Sequence, residues 1–244
     1  MFLSFGAKTS SFSPYFCPVN YKNIRALLIE NSAFFLPYLI FLCAGGILIA
    51  TYPKPQIHIY INEHTYGKAD LFFRLATYLG DGVTVAIVAL AFLLYKVRNG
   101  LLIALSGILT SIVTQFLKHQ VFSNHVRPKK FFEGIYNLHF IPGVENYTEH
   151  SFPSGHSAAA FTLYLGIALL CKNKLLKFFL FLLAATVAFS RVYLSQHFFG
   201  DIYAGSAVGI ASALFVYLLL WNYKPMEKAN WMNKSFLGKN TPAL

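Results

Sequence analysis

The chain has 244 residues, 56% of them hydrophobic and only 12% charged, where soluble domains run at roughly 45–50% and about 25%; this excludes an ordinary soluble fold and points to lipid. The formal charge of +11 sits in short basic clusters between apolar segments, with no basic face and no nucleic-acid motif, so nucleic acid is excluded as the partner and anionic lipid is favoured. No Pro/Gly/Ser-rich linker divides the apolar blocks, and the length suits one domain.

Residues 1–31 carry Lys8, Lys22 and Arg25 among Ser, Pro and Tyr, without the short apolar core and cleavage site of a secretory signal, and read as an N-terminal tail. Crossing a hydrocarbon layer about 30 Å thick takes about 20 apolar residues as a helix. Segments 32–51 and 202–223 meet this with no charged residue, 99–117 nearly does, and 151–171 is long enough with one histidine near its start. Segments 82–95 and 175–189 are shorter and need tilting, local thinning or snorkelling by Lys96 and Lys177. The expectation is an all-α polytopic membrane helix bundle of about six transmembrane helices over 32–223, flanked by tails 1–31 and 224–244.

Six spans put both tails on one side. Twelve of the 20 Lys and Arg residues, including Lys96, Arg98, Lys172, Lys174 and Lys177, fall on that side, which the positive-inside rule makes cytoplasmic. Connections at 52–81, 118–150 and 190–201 then lie opposite. Within the first, 68–79 reads either as an amphipathic interfacial helix or as a plain connector, and Asp81 as a helix-boundary residue. In the last span Gly205 and Gly209 form a GxxxG pair, read as packing within the chain rather than as a dimer seam; oligomeric state is otherwise open. Cys17, Cys43 and Cys171 are far apart and outside any metal pattern, so neither a disulfide nor zinc is expected.

The polar residues of chemical interest fall between 118 and 201. In order they are Lys118, eight residues, Arg127-Pro128; then Pro153-Ser154-Gly155-His156; then Ser190-Arg191, five residues, His197, three residues and Asp201. Phosphoryl transfer needs neutralised oxygens, an in-line nucleophile and a proton for the leaving group. Arg127 and Arg191 offer bidentate donors and Lys118 a point charge. Ser154 and Gly155 precede an apolar run and read as a helix entrance, Ser154 as cap and Gly155 allowing close backbone approach, where free N–H groups bind anions. His197 and Asp201 are four apart and share a face if a helix begins there, and a carboxylate on one imidazole nitrogen activates the other. A lone histidine or arginine near a span end is usually an interface anchor; an ordered set of one Lys, two Arg, two His and one Asp on one side is not explained that way.

The blocks PSGH (153–156) and SRx5Hx3D (190–201) match the signature of the type 2 phosphatidic acid phosphatase family without a substitution, and the chain resembles that family over about a third of its length in motif. The resemblance implies a membrane-embedded phosphatase acting on a lipid phosphate or diphosphate, with His197 as the nucleophile that becomes phosphohistidine, Asp201 as its partner and His156 as the acid for the leaving oxygen. Lys118, Arg127, Ser154, Gly155 and Arg191 would bind phosphate, with no metal and no cofactor. The family's first block departs here: its lysine, six residues before Arg-Pro, corresponds to Gln120, so either Lys118 or Lys129 must serve, and Lys118 is favoured. His119, His125, His139 and His150 match no metal spacing, and Lys129 and Lys130 suit a head-group contact or a solvated face.

Phosphatidate, phosphatidylglycerophosphate, undecaprenyl diphosphate and a lipid A phosphate all remain as substrates; the loop IPGVENYTEHSFPSGHS (141–157) is similar to bacterial members, some of which remove lipid A phosphates. The resemblance implies a bacterial inner membrane with the site on the periplasmic face. The competing readings are a haloperoxidase or soluble acid phosphatase of the same superfamily, against which the apolar spans argue, and a non-catalytic lipid transporter or scaffold, which the intact His197 and Asp201 disfavour.

Overall fold

The computed structural model describes residues 24–65 and 67–236, and these are helices joined by loops, with no strand among them. A short α1 (Ile24–Glu30) leads into α2 (Ser32–Thr51), followed by α3 (Lys54–Glu63), α4 (Lys68–Ala76), a tight turn at Thr77–Gly80, α5 (Gly82–Tyr95) and α6 (Val97–Phe116). After a π-helical turn at Leu117–Val121 come the one-turn α7 (Pro128–Phe131), α8 (Gly155–Leu170), α9 (Lys174–Tyr193), α10 (Phe199–Asn222) and the one-turn α11 (Lys224–Glu227). Cys17 and most of the N-terminal tail lie outside the described residues, as does the chain after 236; Cys43 and Cys171 are both free thiols.

All six segments expected to span are helical, but they divide by length. Ser32–Thr51, Val97–Val121, Lys174–Tyr193 and Phe199–Asn222 are each long and apolar enough alone, and Lys68–Gly80 with Gly82–Tyr95 makes a fifth crossing only as a pair bent by 52°. The remaining expected span, 151–171, contains the shorter apolar helix α8, whose 16 residues reach about 24 Å at 1.5 Å per residue. Its environment explains the shortfall: twelve of those residues are buried, so α8 faces protein, and lipid thickness does not set its length. By contrast α2 exposes Leu36, Ile40 and Ile47, the pattern of a lipid-facing helix.

Two further expectations change. The fifth span is a full 20 residues and needs no thinning, because α9 starts at Lys174 and carries Ser190 and Arg191 in its last turn instead of in a loop. Lys177 does not snorkel: it is 2% exposed, and its ammonium donates to Asn31 Oδ1 (2.7 Å) and the Glu30 carbonyl (2.9 Å), tying α9 to the α1–α2 junction. Residues 68–76 do form a helix, and Asp81 is the N-cap of α5.

The core lies between α8, α10, α6 and α9. Gly205 and Gly209 of α10 set its closest approach: a Cβ on Gly205 would stand 2.5 Å from the Ser154 carbonyl, and one on Gly209 2.3 Å from that of Ala158. The GxxxG pair is therefore spent on the α8–α10 contact within the chain. Ser157 Oγ donating to the Ile202 carbonyl (2.7 Å) and Thr162 Oγ1 to that of Gly209 (3.1 Å) stitch the same seam. This seam brings the start of α8 against the start of α10, and the end of α9 and the turn after α6 reach the same end of the bundle.

Candidate active site

His197 lies one residue ahead of the α10 N-cap, Phe198, so it is not on the helix and the expected shared helical face is corrected. What joins it to Asp201 is capping geometry. Asp201 is the third residue of α10, and its Oδ2 accepts the Phe198 N–H (2.9 Å), faces His197 Nδ1 (3.3 Å) and also accepts the Ser151 hydroxyl. A carboxylate at a helix N-terminus is favoured by the free N–H groups and the dipole there. With Nδ1 turned to Asp201, Nε2 carries the imidazole's remaining lone pair. Both side chains are buried, at 1% and 3% exposure. Burial pushes the His197 imidazole down to about 3, and the positive charges of Arg127 and Lys118 add to this, while the Asp201 hydrogen bond opposes it. The ring is neutral at ordinary pH.

Ser154 caps α8, its hydroxyl accepting the Ser157 N–H at 3.4 Å, and its own N–H donates to the Asp201 carbonyl at 2.9 Å. Gly155 and half-buried His156 open the helix, and His156 lies in the field of Arg191, His197, Lys118 and Arg127.

Lys118 is half-buried, and its Nζ lies 3.9 Å from the point a Cβ on Gly155 would occupy, which puts the amine at the mouth of α8. Gln120 is exposed, and so is Lys129. The π-helical turn over Leu117–Val121, closed by Phe122 N–H to the Leu117 carbonyl (2.8 Å), widens the helix where the motif spacing departs. Such a turn changes which residues face inward, and this one points Lys118 to the site.

Arg127 is held by the segment just before PSGH. Its N–H donates to the Thr148 carbonyl (2.8 Å), its Nε to that of Glu149 (2.9 Å), and one terminal nitrogen to the Gln196 carbonyl (3.2 Å). Its guanidinium is pushed down by burial and supported by the Asp201 charge. Arg191 donates to Thr77 Oγ1 (2.7 Å), while its buried Nε has no partner among the described residues. Three cations, Arg191, Lys118 and Arg127, thus act on the His156 ring, an excess of positive charge suited to a phosphate dianion, and Arg191 Nε is a donor that such an anion would satisfy.

Sequence reasoning missed Ser151, Thr77 and Gln196. Gln196 sits in the motif's unspecified spacer, directly before His197, which was the one available signal; Ser151 and Thr77 gave none. Lys129 and Lys130 stay outside the site: both are exposed, and Lys130 pairs with Glu149. His119 and His150 lie at a tilt to one another with centroids 4.3 Å apart, His125 packs on Phe122 and Phe152, and the His139 backbone binds Asn62, so the four do not gather as one group.

A model of the PAP2 superfamily matches residues 99–225. The lipid A 4'-phosphatase of Porphyromonas gingivalis is 29% identical over 172 residues, covering 66% of this chain and 70% of that protein. Among solved structures, Aquifex aeolicus LpxE aligns with a TM-score of 0.60 at 23% identity, covering 69% of this chain and 98% of that one. The first transmembrane PAP2 type phosphatidylglycerolphosphate phosphatase from Bacillus subtilis aligns with a TM-score of 0.55, also at 23% identity, covering 82% and 98%.

Proposed function

The chain belongs to the PAP2 superfamily as an integral membrane lipid phosphatase, and we propose that it hydrolyses a phosphate ester of a lipid A-type glycolipid, through a phosphohistidine at His197, on the periplasmic face of a bacterial inner membrane. The observation that carries the chemistry is buried, neutral His197 with Nδ1 on Asp201, in a site walled by Lys118, Arg127 and Arg191.

In the first step the His197 Nε2 lone pair attacks phosphorus as the P–O bond to the lipid breaks, and His156, which takes up a proton as the bound phosphate dianion offsets the cations around it, gives that proton to the departing alkoxide. Asp201 holds the Nδ1 proton and stabilises the positive charge that grows on the ring. Lys118, Arg127, Arg191 and the N–H groups at the start of α8 offset the charge on the non-bridging oxygens. In the second step His156 takes a proton from water, which attacks phosphorus and breaks the N–P bond, releasing inorganic phosphate and restoring His197.

The glycolipid substrate is supported by the likeness to the lipid A 4'-phosphatase. It is also supported by an open pocket of about 590 Å³ beside Arg127, lined by Lys129, Glu133, Asn137, Phe140 and Thr148. Charged, amide and aromatic groups together suit a polyhydroxyl head group, and the backbone of Thr148 is the one that holds Arg127. The test is phosphate release by the detergent-purified protein from lipid A, phosphatidylglycerophosphate, phosphatidate and undecaprenyl diphosphate. The expected result is a kcat/KM on lipid A at least about tenfold above the others, roughly 1.4 kcal/mol; preference for a glycerophospholipid would overturn the substrate assignment.

A further inference from the structure

We infer that Gln196 is a positioning residue which holds Arg127 and Arg191 as a single phosphate clamp. This rests on the phosphatase reading above. Gln196 is buried, 1% exposed, and it contacts both arginines through backbone and side chain alike. Its N–H donates to the Arg191 carbonyl (2.9 Å), and its carbonyl accepts from Arg127 (3.2 Å). Its Oε1 accepts from one terminal nitrogen of each guanidinium, both at 3.4 Å.

The amide orientation follows from its other end. Nε2 donates to the Glu145 carbonyl (2.9 Å) and to Asn146 Oδ1 (2.6 Å), two acceptors, so Oε1 must face the arginines. Two guanidiniums sharing one acceptor would otherwise repel, as Arg127 and Arg191 do electrostatically. A carboxylate in this place would hold them as well but cancel one of the charges needed for phosphate. A hydrocarbon would leave buried N–H groups unpaired. A neutral amide holds both cations and leaves their charge for the substrate. Through Glu145 and Asn146 the clamp is anchored to the long loop before PSGH, the same loop whose Thr148 and Glu149 carbonyls hold Arg127.

The test is steady-state kinetics of the full-length protein in detergent, with inorganic phosphate as a competitive inhibitor. Gln196→Leu is expected to raise both KM and the phosphate inhibition constant by about tenfold while changing kcat less, because a phosphate-binding group acts on ground and transition states together. In an Arg127→Lys background the same substitution should have a smaller effect. A residue that merely filled space would lower the active fraction, and with it kcat, leaving KM and the inhibition constant untouched; that result overturns the inference. Should Gln196→Leu fail to fold, the isosteric Gln196→Glu serves: it should weaken phosphate inhibition by offsetting one arginine, and unchanged inhibition overturns the inference equally. An inactive wild-type protein would instead sink the phosphatase reading itself.

Discussion

The N–H of Ser154 donates to the carbonyl of Asp201 at 2.9 Å, so one backbone hydrogen bond joins the entrance of α8 to the residue whose carboxylate faces His197. This bond exists because α10 presents glycine where α8 comes closest, at Gly205 against Ser154 and at Gly209 against Ala158. Gly205→Ala should therefore part the two helices, with a loss of about 1–3 kcal/mol as for other overpacked contacts, and a fall in activity alongside. Gly82→Ala, where a Cβ meets nothing within 4 Å, should leave both unchanged. Thermal unfolding in detergent and phosphate release check this; wild-type behaviour of Gly205→Ala would show that the seam does not set the site.

Lys118→Ala is expected to lower kcat/KM by at least about tenfold, roughly 1.4 kcal/mol of transition-state stabilisation, because its ammonium stands at the mouth of α8. Lys129→Ala, on an exposed residue, should do much less on a substrate without a large head group. Reversal of the two effects would move the phosphate-binding lysine to Lys129.

The helical class and the motif residues were legible because each rests on a local signal: uninterrupted apolar length, or a histidine, arginine or carboxylate at fixed spacing. What the fold adds is tertiary. Apolar length alone cannot tell a lipid-facing helix such as α2 from a protein-facing one such as α8. Lys177 reads as a snorkel by composition and becomes a buried staple only because Asn31 folds over it. Gln196, Ser151 and Thr77 acquire their roles from partners 50 or more residues distant, Gln196 with Asn146, Ser151 with Asp201 and Thr77 with Arg191, and only Gln196, beside His197, carries any local mark.

Burial holds the His197 imidazole down to about 3, reinforced by Arg127 and Lys118. In the proposed mechanism the neutral ring is the nucleophile, and it is lost only as pH falls through that low value, so the ring should remain neutral at pH 5, where an ordinary histidine is largely protonated. Histidine-selective nitrogen NMR, with His197 assigned by comparison with His197→Ala, reads this directly. Protonation of His197 with a midpoint near 6.5 would contradict it.

The proposed orientation, both tails cytoplasmic, predicts position 174 shielded and position 139 reactive toward an impermeant thiol reagent in intact cells, using single cysteines introduced after replacement of Cys17, Cys43 and Cys171. The basis is the excess of Lys and Arg on the side of the tails, twelve of 20. Labelling at 174 but not at 139 would invert the topology and put the site on the cytoplasmic face.

The proposed reaction passes through a covalent bond between phosphorus and His197. Rapid quench of the enzyme with radiolabelled substrate, followed by peptide mapping in alkali, should recover acid-labile phosphate on His197. His197→Ala should give neither label nor product. Asp201→Asn should keep a residue of both, since an amide oxygen replaces only part of a carboxylate that serves His197, Phe198 and Ser151 together. Full turnover with no labelled histidine at any quench time, or label on His156 in place of His197, would contradict the account.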